Sequence, residues 1–303
     1  MKITASYNCN VFLLILGLVL SQLCSGQNDT IPFRLTNHNN ILVEAIVNTE
    51  DSLTLMFHTA GGSVSLTKEG ASKLKSIAWT SDQEVYSWGG QSQSRVSENN
   101  SFTIGAMVVD SLHLRETTNS GPESDGKVGL DFFFGKAVEI NFTKQILVIH
   151  PVTPTLPQGY TKIPTDYVDG MIFLTASAVL NHQVYQNQFL IHSGYGGAIL
   201  FDDGFAKDND LSSRIEITSE QKLQDSYGNT LLTKKGSLPE FRLGEVSFKN
   251  IPVGFFEGSL DQQKVSLMGG DLIKRFDIII DTDREYLYLK SNEKKDEAYT
   301  IFY

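Results

Sequence analysis

His58 and His192 stand in two near-copies of one short motif, 134 residues apart. The first copy reads Leu55-Met56-Phe57-His58-Thr59-Ala60-Gly61-Gly62. The second reads Phe189-Leu190-Ile191-His192-Ser193-Gly194-Tyr195-Gly196-Gly197. Each is an apolar run, then histidine, then a hydroxyl residue, then small residues. Two imidazoles held in such loops have four chemistries open to them. They can ligate zinc or copper, although a catalytic metal calls for a third protein ligand, and the local carboxylates Asp202 and Asp203 lie several residues further on. One of them can act as base for a hydroxyl nucleophile. Neighbours on an extended strand face opposite sides, so neither His58–Thr59 nor His192–Ser193 makes a dyad, and only Thr59 with His192 is left. They can floor a binding cleft. Or they can serve packing alone, hydrogen-bonded to each other or to water, as buried polar groups normally are.

The elements around the two motifs repeat as well. Asp125-Gly126-Lys127-Val128-Gly129-Leu130-Asp131 precedes Val138-Glu139-Ile140-Asn141, and Leu267-Met268-Gly269-Gly270-Asp271 precedes Ile278-Ile279-Ile280-Asp281; Asp131 and Asp271 are 140 residues apart. Each half closes with apolar run, polar turn, apolar run, which is hairpin grammar. Between these lies a third pair, Ser87-Trp88-Gly89-Gly90 and Ser226-Tyr227-Gly228-Asn229. An aromatic followed by turn-formers reads as a hairpin tip. Short β-like runs over 42–48, 53–57, 101–104, 171–178 and 184–191 dominate the rest. Helical patterns are confined to 67–77 and 272–276. Asp131 and Asp271 each precede a short helical run and read as its cap. Residues 151–157 hold three prolines and read as a linker between halves. His38, His113, His150 and His182 show no ligand spacing, and Lys294-Lys295-Asp296-Glu297 reads as a solvated tail.

The first 26 residues have the build of a secretory signal: Lys2, a ten-residue apolar run from Val11 to Leu20, then small and polar residues to Gly26. Both cysteines, Cys9 and Cys24, fall inside it. An exported chain without disulfides is expected, located outside the cell or in the periplasm. Gln22 and Leu23 are not the small pair that lipidation at Cys24 would want. No later apolar run is long enough to span a membrane. The formal net charge of −10 repels phosphates, which argues against nucleic acid as a partner. The sequons at Asn28, Asn99 and Asn141 matter only in a eukaryotic secretory pathway.

Three motifs in fixed order, each present twice, cover nearly the whole chain after residue 26. In this it resembles the retropepsin- and pepsin-like aspartic peptidases, and in particular secreted bacterial aspartyl-protease-like proteins that fuse two retropepsin-like halves. The resemblance implies an all-β fold with few short helices. Two barrel-like lobes, 27–150 and 158–303, would be related by a pseudo-twofold axis with one cleft between them. It implies that His58 and His192 occupy the positions of the two catalytic aspartates. Thr59 and Ser193 would cross-link the two loops, and Trp88, Gly89, Tyr227 and Gly228 would form flap-like tips over the cleft. Gly194 matches the motif glycine; Ala60 departs from it. The family reaction needs two carboxyls sharing one proton, one ionised to activate water and one protonated to polarise the carbonyl. Two imidazoles do not reproduce that division. The expectation is a protein without aspartic peptidase activity that binds a peptide or other extended ligand. The alternative is a hydrolase that uses the histidine pair, with or without a metal ion. No cofactor is expected. A monomer is, because the repeat already supplies the pairing that a single half would obtain by dimerising.

Overall fold

Alternation of apolar and polar residues turns most of this chain into strand. The computed structural model describes residues 28–62, 64–87, 90–224, 230–256 and 263–300. The 1–26 segment and the hairpin tips with Trp88, Gly89, Tyr227 and Gly228 lie outside them. The first half contributes β1 (Asp29–Pro32), β2 (Arg34–Leu35), β3 (Ile41–Val47), β4 (Asp51–His58), β5 (Val64–Thr67), β6 (Ser81–Ser87), β7 (Gly90–Ile104), β8 (Met107–Thr117), β9 (Gly126–Gly129), β10 (Ala137–Asn141) and β11 (Ile146–His150). The second half contributes β12 (Thr161–Pro164), β13 (Asp166–Val168), β14 (Met171–Leu180), β15 (Gln183–His192), β16 (Ile199–Leu200), β17 (Ile217–Gln224), β18 (Thr230–Leu243), β19 (Val246–Phe255), β20 (Ser266–Gly269), β21 (Phe276–Ile280) and β22 (Tyr286–Ser291). Residues 151–160 join the halves without strand or helix.

The strand order repeats. One eight-stranded sheet runs β2-β3-β4-β9-β5-β8-β7-β6, with β3 also pairing β7. The other runs β13-β14-β15-β20-β16-β19-β18-β17, with β14 also pairing β18. Each strand of the second is the eleventh after its counterpart in the first. The extra pairing curls each sheet back on itself, as a barrel-like sheet requires. A six-stranded sheet, β1-β11-β10-β21-β22-β12, takes three strands from each half. Its centre is the antiparallel pair β10–β21, in register Val138↔Ile280, Glu139↔Ile279, Ile140↔Ile278. The core is apolar and rich in phenylalanine: Phe57 meets Phe133 edge-on, and Phe189 meets Phe201 and Phe241. No helix among the described residues is long and apolar enough to cross a membrane.

Helices are short, and shorter than the apolar pattern suggests. In place of a helix over 67–77, α1 covers Lys68–Ser72 with Thr67 as N-cap. It stops because Asp51 Oδ2 accepts the N–H groups of Lys75 and Ser76 and the Ser76 hydroxyl, drawing that segment away from helical bonding. Asp203–Asp208 and Leu211–Arg214 form α2 and α3. In place of a helix over 272–276, α4 covers Gly270–Ile273, and Phe276 already belongs to β21. A 3-10 turn, Leu130–Phe133, is its counterpart in the first half.

Two expectations are corrected here. Asp131 and Asp271 do not cap these turns. The cap positions are Gly129 and Gly269, which make no side-chain cap bond, and the aspartates sit one residue inside the first turn. A capping side chain has no room: a Cβ at Gly129 would lie 1.9 Å from Gly61 O, and one at Gly269 2.2 Å from Gly197 O. Nor is 294–297 a freely solvated tail. The Arg275 guanidinium, only 1% exposed, donates to the carbonyls of Lys294, Lys295 and Glu297 and stacks on Tyr299. Buried Asp271 pairs with Lys274 at 2.9 Å and accepts the Thr300 N–H at 2.7 Å. Removing one member of a buried ionic network leaves the others unpaired, at about 3–5 kcal/mol. Arg275→Leu is therefore expected to lower unfolding free energy by about that amount. Limited trypsin digestion should then cut at Lys294 and Lys295 well before it does in the wild type.

Candidate functional site

Strands β4 and β15 each run parallel to a glycine-ended partner, and each histidine closes its pairing opposite that glycine: His58↔Gly129 and His192↔Gly269. The chain then turns sharply, with Gly61 N–H donating to His58 O and Tyr195 N–H to His192 O. The glycine opposite lets the turn lie close over the neighbouring strand, where a Cβ would strike backbone.

The two loops are locked by a reciprocal set of hydrogen bonds. Thr59 Oγ1 donates to Ile191 O at 2.7 Å and accepts from Ser193 N at 3.0 Å. Ser193 Oγ donates to Phe57 O at 2.7 Å and accepts from Thr59 N at 3.0 Å. Both side chains are fully buried. Each hydroxyl proton is thus committed to a carbonyl, and neither hydroxyl bonds to an imidazole. This closes the hydroxyl-nucleophile reading: Thr59 would have to abandon the lock to approach His192. Asn40 Nδ2 donates to Ser193 O, and Asn39 Nδ2 to Gly196 O, so the first half also braces the second loop.

The lock brings the two imidazoles together. Their centroids lie 4.6 Å apart at 78°, edge to face. That is packing without a hydrogen bond between the rings, contrary to the mutual bond considered for an idle pair. His58 is wedged between glycines: a Cβ on Gly61 would lie 2.9 Å from its Nδ1, and one on Gly194 2.5 Å from its Nε2. Its Nδ1 is buried and has no hydrogen-bond partner. His192 is less buried, and its Nδ1 accepts the Tyr195 N–H at 2.9 Å. That bond puts the proton of the neutral ring on Nε2. Ala60, standing where the second loop has Gly194, is accommodated: its methyl packs on the apolar cluster of Leu190, Leu200, Phe256 and Leu267.

Both rings are held neutral. Burial, then His192 and Lys127, pushes His58 well below the ordinary histidine value. Burial, then Lys127, pushes His192 down to about 4. Desolvation disfavours the charged form, and a nearby cation adds to that. Lys127 was not singled out as a site residue from the sequence, although a lysine inside Gly126-Lys127-Val128-Gly129 interrupts an apolar motif. Asn39 and Asn40 were also missed; two asparagines before a strand look like any turn.

Asp202 caps α2 through Phe205 N and accepts from Asn187 Nδ2 and Ser266 Oγ, away from the histidines. No group of three or more His, Cys, Asp or Glu side chains with metal-site geometry occurs among the described residues. His150 pairs instead with Glu139, 3.0 Å away. No protein-family model matches the chain, and no curated protein matches it in sequence.

Thr59→Val would strand Ile191 O and Ser193 N, and Ser193→Ala would strand Phe57 O and Thr59 N. Each is expected to cost about 2–5 kcal/mol in urea unfolding, while Thr59→Ser stays near wild type. The pH dependence has a definite sign. The folded histidines titrate below the unfolded value, so between the two the unfolded chain holds more protons and acid favours it. Stability should fall as pH drops from about 6.5 towards 4, and His58 extends the loss further down. Relative to wild type, a His58→Gln/His192→Gln variant should gain about 1–3 kcal/mol between pH 7 and pH 4, measured by denaturation at each pH.

Proposed function

We propose that this chain is an exported protein of the aspartic-peptidase fold group, with two pepsin- or retropepsin-like lobes. It would have given up aspartic peptidase chemistry and bind a peptide or other extended ligand in the cleft between them. The observation that carries this reading is the reciprocal Thr59–Ser193 lock with the two imidazoles at its mouth. The repeated strand order and the shared six-stranded sheet support two related lobes. The hairpins β6–β7 and β17–β18 hold matching places in the two eight-stranded sheets, as the two related flaps of such a fold would.

The loss of the reaction rests on charge. An aspartic dyad works because one carboxylate is ionised and grips the attacking water while its protonated neighbour polarises the carbonyl. Here neither ring carries charge near neutral pH, and His58 has both ring nitrogens against glycines. The His192 Nε2–H is a neutral donor, and a neutral donor orients a ligand carbonyl without generating a nucleophile. The competing hydrolase reading would need the pair to gather a metal or water of its own.

The test is a mixed peptide library incubated with purified protein from pH 3 to pH 8 and read by mass spectrometry. No cleavage above the His58→Gln/His192→Gln control is expected, together with retention of peptides on immobilised protein. Cleavage lost in that variant would overturn the reading in favour of the hydrolase. Metal analysis of wild type and variant should give equal, negligible contents.

A further inference from the structure

The two sides of the histidine pair differ in a way that the repeat makes easy to see. In the first half, β4 and β9 pair in parallel with Met56 opposite Lys127 and His58 opposite Gly129. In the second, β15 and β20 pair with Leu190 opposite Leu267 and His192 opposite Gly269. Side chains directly opposite in a sheet share a face, and residues two apart in a strand share it too. Lys127 therefore stands on the face of His58, two pairs back, where the second half has Leu267. The field of Lys127 reaches both imidazoles. Leu190 and Leu267 belong to a separate apolar cluster with Leu200 and Phe256, extended by Phe173 and Met171. Asp131, beside Gly62 of the first loop, is engaged by the Tyr167 hydroxyl at 2.9 Å.

We propose that this floor takes a carboxylate: Lys127 faces the anionic group of an extended ligand, the His192 Nε2–H donates to it or to the adjoining carbonyl, and the neighbouring apolar side chain lies towards Leu190 and Leu267. The inference rests on the cleft-binding reading above and adds the ligand's chemistry to it. An ammonium with a neutral N–H donor beside it is a carboxylate-binding set, because charge-assisted bonds are shorter and stronger than neutral ones. A floor of two carboxylates would repel the same group. The carboxylate can come from an acidic side chain or from a peptide's own C-terminus, and each source has its own arm in the test.

The experiment uses blocked octapeptides on an array, in matched sets that differ at one central residue: Glu-Leu, Gln-Leu and Lys-Leu. A fourth set carries Gln-Leu at a free C-terminus. Binding to the purified protein is compared with Lys127→Met and Lys127→Glu, each checked for a wild-type melting temperature. About tenfold tighter binding of the Glu set or of the free-carboxylate set over Gln is expected, which is the size of one charge-assisted contact. Lys127→Met should erase the preference and Lys127→Glu should turn it towards the Lys set. Equal binding of all sets would overturn this inference and leave the cleft reading standing. A Glu preference that persists in Lys127→Met would also overturn it. Retention of no peptide at all would remove the cleft reading, and this inference with it.

Discussion

Four hydrogen bonds through two hydroxyls hold the centre of this protein. Thr59 and Ser193 each accept one backbone N–H and donate to one carbonyl across the join, so four backbone groups of two buried loops are satisfied by two side chains. Water does not reach this place, and an unmade bond there would carry its full desolvation cost. The spacing of the imidazoles is a consequence of that lock. So is the need for Gly129 and Gly269 beneath the loops and for Gly194 against the His58 ring. Any enlargement at those glycines meets backbone or imidazole, which is why the surroundings of the histidines tolerate so little.

Within that frame the electrostatics run opposite to those of a carboxylate dyad. Neutral imidazoles are far cheaper to bury than an ionised carboxylate, and burial itself keeps them neutral. Lys127 puts a cation near both rings from the first half, and the Asp131 carboxylate stands beside Gly62 of the first loop. The halves share a backbone plan but not a chemistry: the Nδ1 of His58 is buried without a hydrogen-bond partner, while that of His192 accepts the Tyr195 N–H. Ala60 contributes to this difference, since its methyl is spent on the apolar cluster of the second half.

Much of this was legible in the residues. The paired motifs, the polar turns and the spaced apolar runs anticipate an all-β chain with a doubled plan, and the hydroxyl residues after each histidine anticipate the lock. The failures have physical causes. Asp131 and Asp271 look like caps because a polar residue precedes a helical run, but close backbone approach reserves the cap for glycine. The helix expected over 67–77 is cut short by Asp51, a residue far from it in sequence. Lys294 to Glu297 look solvated because their side chains are charged, whereas it is their carbonyls that Arg275 gathers. Asn39, Asn40 and Lys127 act through contacts between distant segments, and a local pattern carries no trace of those. The chain from 1 to 26 and the hairpin tips at Trp88 and Tyr227 lie outside the described residues.

The pairing of β10 with β21 bears on how the chain is made. β10 is complete by the middle of synthesis, whereas β21 is among the last strands to be translated. Until then β10 is an open, apolar edge, bordered only by β11. An open edge recruits any strand it meets. The nascent first half must therefore wait with an unsatisfied margin, and final closure of the join comes only once the second half has emerged. In this protein the order of translation and the order of assembly are bound together at three residue pairs.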